Sequence, residues 1–315
     1  MQSMLNKARA SVQPGGRPPA AVELTPDGVL AAALPAAGQP PVYAFAPFPP
    51  DTLVPGIEHP NLRAPQAVAD AIRSALEQVS PRSRSVTLVL PDTAVRVFVL
   101  DFDSLPAKAV EAISVLRFRL RKMIPFDVEH AGVSYQVLTQ TRTECKVLTA
   151  VMPGNVLAEY EAAVRAAGYD PGAVLPSSLA ALEMTDSLEA VLAANLSDAA
   201  ITTLIATGQD LLLYRTLELP GDAAEHVAEI RRSIAVAAAY FEDKLGGPPR
   251  ALHYAGNRDI RDFAGWISSS SGEPDLQVVE LAERPESGAL TSLGHESIAA
   301  VAGALALGGA RGGTH

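Results

Sequence analysis

The amino-terminal part of the chain alternates short apolar stretches with turn signals, which predicts strands before helices. Apolar residues fill 20–24 and 29–33 and flank the turn sequence TPDG at 25–28. In that turn Pro presets φ and Gly can take the positive φ that closes a hairpin. A third strand, a helix and a buried strand are expected to follow, at 42–46, 65–78 and 85–90.

The middle of the chain places a basic helix before a proline corner. A strand is predicted at 94–100, and Ser104 is a helix N-cap type of residue ahead of a helix that runs to about Met123. Arg117 and Arg121 form an i,i+4 pair on one face of this helix, and Pro125 ends it. Four apolar residues recur at helical spacing and are expected to face the core: Val110, Ile113, Leu116 and Leu120.

A second hairpin and two helices complete the first half. Alternating residues predict a strand at 132–138, which is expected to pair with 145–152. A helix follows at 153–167, with Gly168 placed to cap it. Pro176 then opens a short helix to Met184, in which Ser177 and Ser178 fit an N-cap.

The second half repeats this order. Strands are predicted at 188–196, 200–206, 210–219, 251–255 and 276–281. Helices are predicted at 222–244, 258–267 and 297–307. We therefore predict an α/β fold of two related lobes, 20–186 and 187–315, with a cleft between them, after a disordered leader at 1–19.

Composition narrows the class of protein. The chain has 315 residues, 48% of them hydrophobic, and a formal charge of −10, which repels phosphate backbones and argues against a general nucleic-acid binder. Its only cysteine, Cys145, leaves no internal disulfide. No segment has the roughly 18 to 20 apolar residues that span a bilayer, and no secretory leader is recognisable, as is typical of a cytoplasmic protein. A weak lipid anchor in the basic leader is an alternative to disorder.

Motifs for catalysis are missing. The chain has no phosphate-binding loop with Gly-Lys-Ser/Thr, no Gly-x-Ser-x-Gly elbow and no His-Glu-x-x-His pair. The six histidines are scattered without ligand spacing, so we expect neither a metal site nor a catalytic residue.

A block from about Thr93 to Met184 resembles the PilM family of type IV pilus assembly proteins. The residues that carry the resemblance are Ser104-Leu105-Pro106, Ile124-Pro125-Phe126, the strand 133–138, Ala150-Val151-Met152-Pro153, Tyr160 and Ala167-Gly168-Tyr169. Similarity over the rest of the chain is weaker and includes YRTLELPG at 214–221. The resemblance implies a two-lobed actin-like fold, related to ribonuclease H, with an inserted subdomain at about 92–170.

The resemblance also implies a partner. In that family the inserted subdomain and its neighbour hold the short cytoplasmic N-terminal tail of PilN, a bitopic inner-membrane protein. The expected contact residues here are Arg117, Arg121, Ile124, Pro125, Phe126 and Tyr135. The alternatives are a solvated face for the two arginines and a core position for Phe126. A cytoplasmic pilus ATPase and a second copy of the chain are further possible partners.

Actin-like proteins hold MgATP at two hairpin turns with Asp-x-Gly, and the matching turns here depart from that pattern. Glu23-Leu24-Thr25 keeps a carboxylate but loses the glycine, and Asn195-Leu196-Ser197 loses both. Actin-like proteins have a third turn with Gly-Gly, and of these two glycines only Gly256 is present here. Glu23, Thr25, Asn195, Ser197 and Gly256 are thus the positions of a degenerate nucleotide site.

We therefore expect a non-catalytic adaptor, without a required cofactor, at the cytoplasmic face of the inner membrane. A nucleotide-binding actin-like ATPase and the cytoplasmic part of a GspL-like type II secretion protein are the alternatives.

Overall fold

The computed structural model describes residues 17–35, 39–185, 189–208, 210–268, 276–283 and 296–306. These residues form two five-stranded sheets and one three-stranded sheet, with helices packed on them. Among them, no helix is both long enough and apolar enough to cross a bilayer.

The first sheet has the strand order β3-β2-β1-β4-β8. Its first three strands are antiparallel neighbours, whereas β4 and β8 run parallel to β1. The strands are β1 Ala20–Thr25, β2 Gly28–Ala33, β3 Val42–Pro47, β4 Ser85–Leu90 and β8 Asp170–Pro176. The β1–β2 turn lies at the predicted Thr25–Gly28 position.

The second sheet repeats this topology, with the order β11-β10-β9-β12-β13. Again three antiparallel strands come first, and two strands follow that run parallel to β9. The strands are β9 Ala190–Leu196, β10 Ala200–Thr207, β11 Asp210–Glu218, β12 Ala251–Gly256 and β13 Gln277–Glu280. The duplicated α/β architecture expected from the sequence is therefore present.

A third sheet is inserted in the chain between β4 and the helix before β8. Its strands are β5 Arg96–Phe102, β6 Gly132–Gln140 and β7 Cys145–Met152, with β7 in the centre. Helix α2 covers one face through Leu116 and Leu120, which share a core with Val147 and Val151. We call β5, α2, β6 and β7 the inserted unit.

The remaining helices pack on the two large sheets. The helices are α1 Pro65–Val79, α2 Ala109–Leu120, α3 Gly154–Ala166, α4 Ser177–Leu182, α5 Ala223–Leu245, α6 Ile260–Ile267 and α7 Ala299–Leu305, with a short 3-10 helix at Asp92–Ala94. Helices α1 and α3 share the main core of the first sheet, and α5 and α6 that of the second. Gly168 follows α3 with φ +90°, the left-handed cap that the sequence predicts.

Two predictions about α2 are wrong. The helix begins at Ala109 after Lys108, not directly after Ser104, because the preceding residues form a loop. Ala112, Leu116 and Leu120 are its buried residues, whereas Val110 is exposed. Leu116 and Leu120 face the core as predicted, and Ala112, four residues before Leu116, completes the buried stripe in place of Val110.

Two segments near the ends of the described chain do not pack as the expected lobe boundaries imply. Positions 1–16 of the predicted leader lie outside the described residues, but the Arg17 guanidinium donates to the carbonyl of Gly303 at 3.2 Å and pairs with Glu183 at 3.1 Å. Helix α7, expected in the second lobe, shares a core with α4 and with β1, β2 and β4 of the first sheet. The chain therefore returns to the first sheet after forming the second.

Candidate functional site

The five residues predicted for a degenerate nucleotide site line one cavity. The β1–β2 turn brings Glu23 and Thr25, the β9–β10 turn brings Asn195 and Ser197, and the end of β12 brings Gly256. The cavity has a volume of about 60 Å³. The five residues come together because each lies at the end of a strand.

The centre of this cleft is Asp92, a buried residue that the sequence analysis did not select. Its Oδ1 accepts hydrogen bonds from the backbone N–H of Ser178 at 3.1 Å, from the hydroxyl of Ser178 at 2.9 Å and from the hydroxyl of Tyr214 at 3.2 Å. Its Oδ2 accepts one from Nδ2 of Asn195 at 3.1 Å. Since Asn195 and Tyr214 belong to the second sheet, Asp92 joins the two halves of the molecule.

A second buried carboxyl group extends the network. The Ser177 hydroxyl donates to Oε1 of Glu23 at 2.6 Å and accepts from Nδ2 of Asn195 at 3.1 Å. The predicted N-cap role of Ser177 and Ser178 is therefore wrong, because neither side chain caps α4. Both serines instead connect the start of α4 to carboxyl groups in the cleft.

Carboxyl groups dominate the polar lining of the cleft. Five carboxyl groups line it, those of Glu23, Asp27, Asp92, Asp198 and Glu296, and none of the described lining residues is a lysine or an arginine. Burial raises the pKa of Glu23 to about 7, and nearby Asp92 adds to the rise although the Ser177 hydrogen bond opposes it. Burial also raises the pKa of Asp92, although the hydrogen bonds from Ser178 and Asn195 lower it. Burial and neighbouring Glu23 raise the pKa of Glu296 to about 8.

The lining of the cleft can be compared with what a magnesium-bound triphosphate requires. Thr25 and Ser197 carry side chains at the two hairpin turns, where the expected phosphate cradle would have glycine. At Gly256, a Cβ would lie 2.8 Å from the Leu196 carbonyl, so this glycine is required by close strand packing. Among the described residues, no group of His, Cys, Asp or Glu side chains is arranged to hold a metal ion.

The two arginines of the predicted partner surface are already engaged within the chain. The Arg117 guanidinium donates to the carbonyls of Val128 and Ala131, the latter at 2.9 Å, and so holds the loop that follows α2. Arg121 is exposed and pairs with Glu129 at 2.6 Å. Arg117 therefore has a structural role, and Arg121 presents a charge at the surface.

The other predicted contact residues lie on both sides of the same corner. Ile124 is buried in the core of the inserted unit, and Phe126 and Tyr135 are partly buried against that core. Pro125 is exposed between Ile124 and Phe126. The structure thus gathers these residues around one corner, where Arg121, Pro125 and Phe126 are accessible.

The inserted unit also contacts the second sheet. The hydroxyl of Thr139 on β6 donates to Asp210 on β11 at 2.7 Å, and Arg96 on β5 pairs with Glu218 on β11 at 3.0 Å. Leu148, on the face of β7 opposite α2, packs against the main core of the first sheet and against a small core of the second. This opposite face is therefore a junction between the three sheets.

The duplicated sheets and the inserted unit define the class of protein, which has the two-lobed actin-like fold. Within that class, the structure is similar to that of the PilM-PilN type IV pilus biogenesis complex, with a TM-score of 0.72 and 22% identity. That similarity covers 91% of this chain and 97% of the other.

A second similar structure is the cytoplasmic domain of EpsL, an inner-membrane component of the type II secretion system of Vibrio cholerae. Its TM-score is 0.52 at 15% identity, over 83% of this chain and 88% of that one. Neither the scan against protein-family models nor the search of curated proteins finds a match for this sequence. At these identities the two similarities establish the fold.

Proposed function

We propose that the protein is a non-catalytic adaptor of a type IV pilus assembly machine. The observation that carries this proposal is the similarity to a PilM-PilN complex over 91% of the chain. The proposed partner is the cytoplasmic N-terminal tail of a PilN-like inner-membrane protein. Such a partner would hold the adaptor at the cytoplasmic face of the inner membrane.

The acidic cleft supports a structural role for the two lobes. Asp92 accepts hydrogen bonds there from Asn195 and Tyr214. These side chains could otherwise bind a ligand, and they connect the two sheets instead. A triphosphate brought to this cleft would meet carboxyl groups without a lysine or arginine among the described lining residues. The cleft thus favours a fixed frame over nucleotide chemistry.

The corner of the inserted unit is the proposed contact with the tail. Arg121, Pro125 and Phe126 would touch the tail, and Arg117, Ile124 and Tyr135 would hold the corner in shape. An extended peptide presents carbonyl groups and apolar side chains together, which suits an exposed guanidinium beside an apolar edge. Arg121 can exchange its exposed pair with Glu129 for a peptide carboxylate or carbonyl at little cost, because exposed ion pairs contribute about 0 to 1 kcal/mol.

Titration of the full chain with fluorescent N-terminal tails of bitopic proteins encoded beside it tests this function. Arg121→Glu is expected to weaken tail binding about tenfold or more, because it reverses a charge at the contact. Arg232→Glu is the matched control, since Arg232 is also exposed and pairs with a glutamate at 2.7 Å. Binding that survives Arg121→Glu would remove the corner from the contact, and failure of every tail to bind would overturn the adaptor function.

The similarity to the EpsL domain favours a second candidate, a role in type II secretion. The same titration separates the two functions if it includes tails and cytoplasmic segments from both kinds of system. Selective binding of a secretion component would assign the protein to that system.

Millimolar MgATP tests the proposal that the cleft is non-catalytic. A ligand at a hundred times its dissociation constant stabilises the folded state by about 2.7 kcal/mol. We expect no such rise in the thermal unfolding temperature. A rise that is lost on addition of EDTA would restore the ATPase hypothesis.

A further inference from the structure

The most exposed apolar side chains of the described residues lie on α2. Phe118 is 74% exposed and Val110 is 64% exposed, the two highest values among the large hydrophobic residues described. Met123, just after the helix, is 42% exposed. Single exposed apolar residues are common on protein surfaces, so these side chains point to a contact only together with the charges around them.

The same helix end has the opposite charge to the protein as a whole. The segment 117–126, RFRLRKMIPF, contains four basic residues and no acidic residue, in a chain with a net charge of −10. Arg117 is turned into the following loop and Arg121 pairs with Glu129. Arg119 and Lys122 are exposed and have no ion pair among the described residues.

The acidic residues near this face are already paired. Glu111 on α2 pairs with Lys108 at 3.1 Å, and Asp127 contacts His130 at 2.6 Å. The positive charges of Arg119 and Lys122 are therefore available to pair with an external partner. Arg119 follows Phe118 directly in the chain.

We propose that the exposed surface at the C-terminal end of α2 and the turn that follows it, formed by Phe118, Arg119, Lys122 and Met123, docks on an anionic lipid bilayer. An aromatic ring enters the headgroup region while the neighbouring cations meet anionic headgroups, each basic residue adding about a fivefold gain in partition. This face goes beyond the proposed tail contact and does not depend on it, since its residues are not those of the corner.

The arrangement fits a bilayer better than an acidic protein. Val110 and Phe118 are eight positions apart, which corresponds to about 12 Å along a helix, so the apolar groups stand singly among charges. A protein interface concentrates contiguous apolar area at its centre and excludes lysine from it. A headgroup layer rearranges around single side chains and diffuse charge, and so accepts this spacing.

Co-sedimentation with vesicles tests the proposal on the full chain without a partner. We expect binding to vesicles of phosphatidylcholine and phosphatidylglycerol in equal parts, and little binding to phosphatidylcholine alone. The double variant Arg119→Glu/Lys122→Glu should bind about thirtyfold less tightly, or weaker still, because two cations are lost. Phe118→Ala should bind several-fold less tightly because it removes the inserting ring.

The matched controls are on another exposed helix. Tyr240→Ala and Lys244→Glu on α5 change an exposed aromatic residue and an exposed lysine, and they should bind as the parent chain does. Equal binding to neutral and anionic vesicles, or parent-like binding of the α2 variants, overturns the proposal. Binding to polyglutamate in place of vesicles also overturns it and assigns the face to an acidic protein.

Discussion

Glu23 is a buried carboxyl group close to a second one, and this determines how it responds to pH. Burial, together with Asp92, raises its pKa from 4.5 to about 7. A carboxyl group with a raised pKa favours the folded state most when it is protonated. Its contribution is therefore fully present below about pH 4.5 and is lost as the pH rises through about 7.

Replacing Glu23 by Gln should stabilise the protein at neutral and alkaline pH. The amide oxygen can still accept the Ser177 hydrogen bond, but no charge forms in the cleft. The expected gain at pH 8 is on the order of 2 kcal/mol, and it should shrink toward zero near pH 4.5. Urea unfolding between pH 4.5 and 8.5 measures it.

An exposed carboxyl group provides the control for this prediction. Glu77→Gln on α1 changes a glutamate at the solvent-exposed end of a helix and should leave the pH profile unaltered. A profile for Glu23→Gln that runs parallel to that of the parent chain would show that Glu23 ionises normally.

The sequence predicts which residues enter the cleft better than it predicts their partners. Glu23 and Asn195 follow from the two hairpins, because a strand and its turn are encoded locally. Asp92 and Tyr214 are separated by 122 positions and interact only once both sheets have formed. The local signal at Asp92 is a Pro-Asp pair after a buried strand, which is also typical of an ordinary turn.

At the scale of elements, the Arg117 side chain is a main contact between α2 and the loop after it. The Arg117 guanidinium binds the carbonyls of Val128 and Ala131, which have few alternatives because both residues are buried. This contact fixes the loop against the helix end and thereby shapes the Ile124-Pro125-Phe126 corner. A basic residue predicted as a partner contact is thus primarily a structural one.

Arg117→Met should loosen this loop. The variant keeps an unbranched apolar side chain but removes the guanidinium donor from the Ala131 carbonyl and from the Val128 carbonyl, which still accepts from the Ala131 N–H at 3.3 Å, for an expected loss of about 1 to 2 kcal/mol. Hydrogen exchange measured by mass spectrometry should accelerate over 121–131. Arg119→Met, on the same helix but without an ion pair in the described structure, should leave both stability and exchange near those of the parent chain. Equal behaviour of the two variants would show that the carbonyls are satisfied by water.

Helix and strand types are predicted well, but their ends are not. The basic helix starts at Ala109 and not after Ser104, because an N-cap type of residue also occurs in loops. Strand β8 was missed, since Asp170–Pro176 carries Pro and Gly residues that usually mark a loop. It forms as the edge strand beside β4, a position that tolerates proline.

At the scale of the whole molecule, the two sheets are held together by polar and apolar contacts of different kinds. Asp92 forms the polar link, and α7 forms an apolar one by packing on the first sheet and α4. The repeated sheet topology was predictable because both halves repeat one order of elements. The return of α7 was not, because an Ala-rich helix of seven residues packs equally well on either sheet.

Tyr214→Phe tests whether the polar link couples the two halves. The variant removes a hydroxyl that lies 3.2 Å from Asp92 and 2.7 Å from the Ser178 hydroxyl, and it leaves the ring in place. Because the carboxyl group stays buried with one donor fewer, the expected loss of unfolding free energy is about 1 to 2 kcal/mol. Hydrogen exchange should accelerate at both ends of the link, in Asp92–Ala94 and in β11.

Tyr240→Phe on α5 removes a hydroxyl from an exposed ring and should change neither quantity. If the loss appears only in β11 and not in Asp92–Ala94, the hydroxyl stabilises its own strand and does not link the halves. Faster exchange in both Asp92–Ala94 and β11 would show that the Tyr214 hydroxyl holds the two lobes together across the cleft. A cleft held in this way gives the inserted unit a fixed base, because the unit contacts both large sheets.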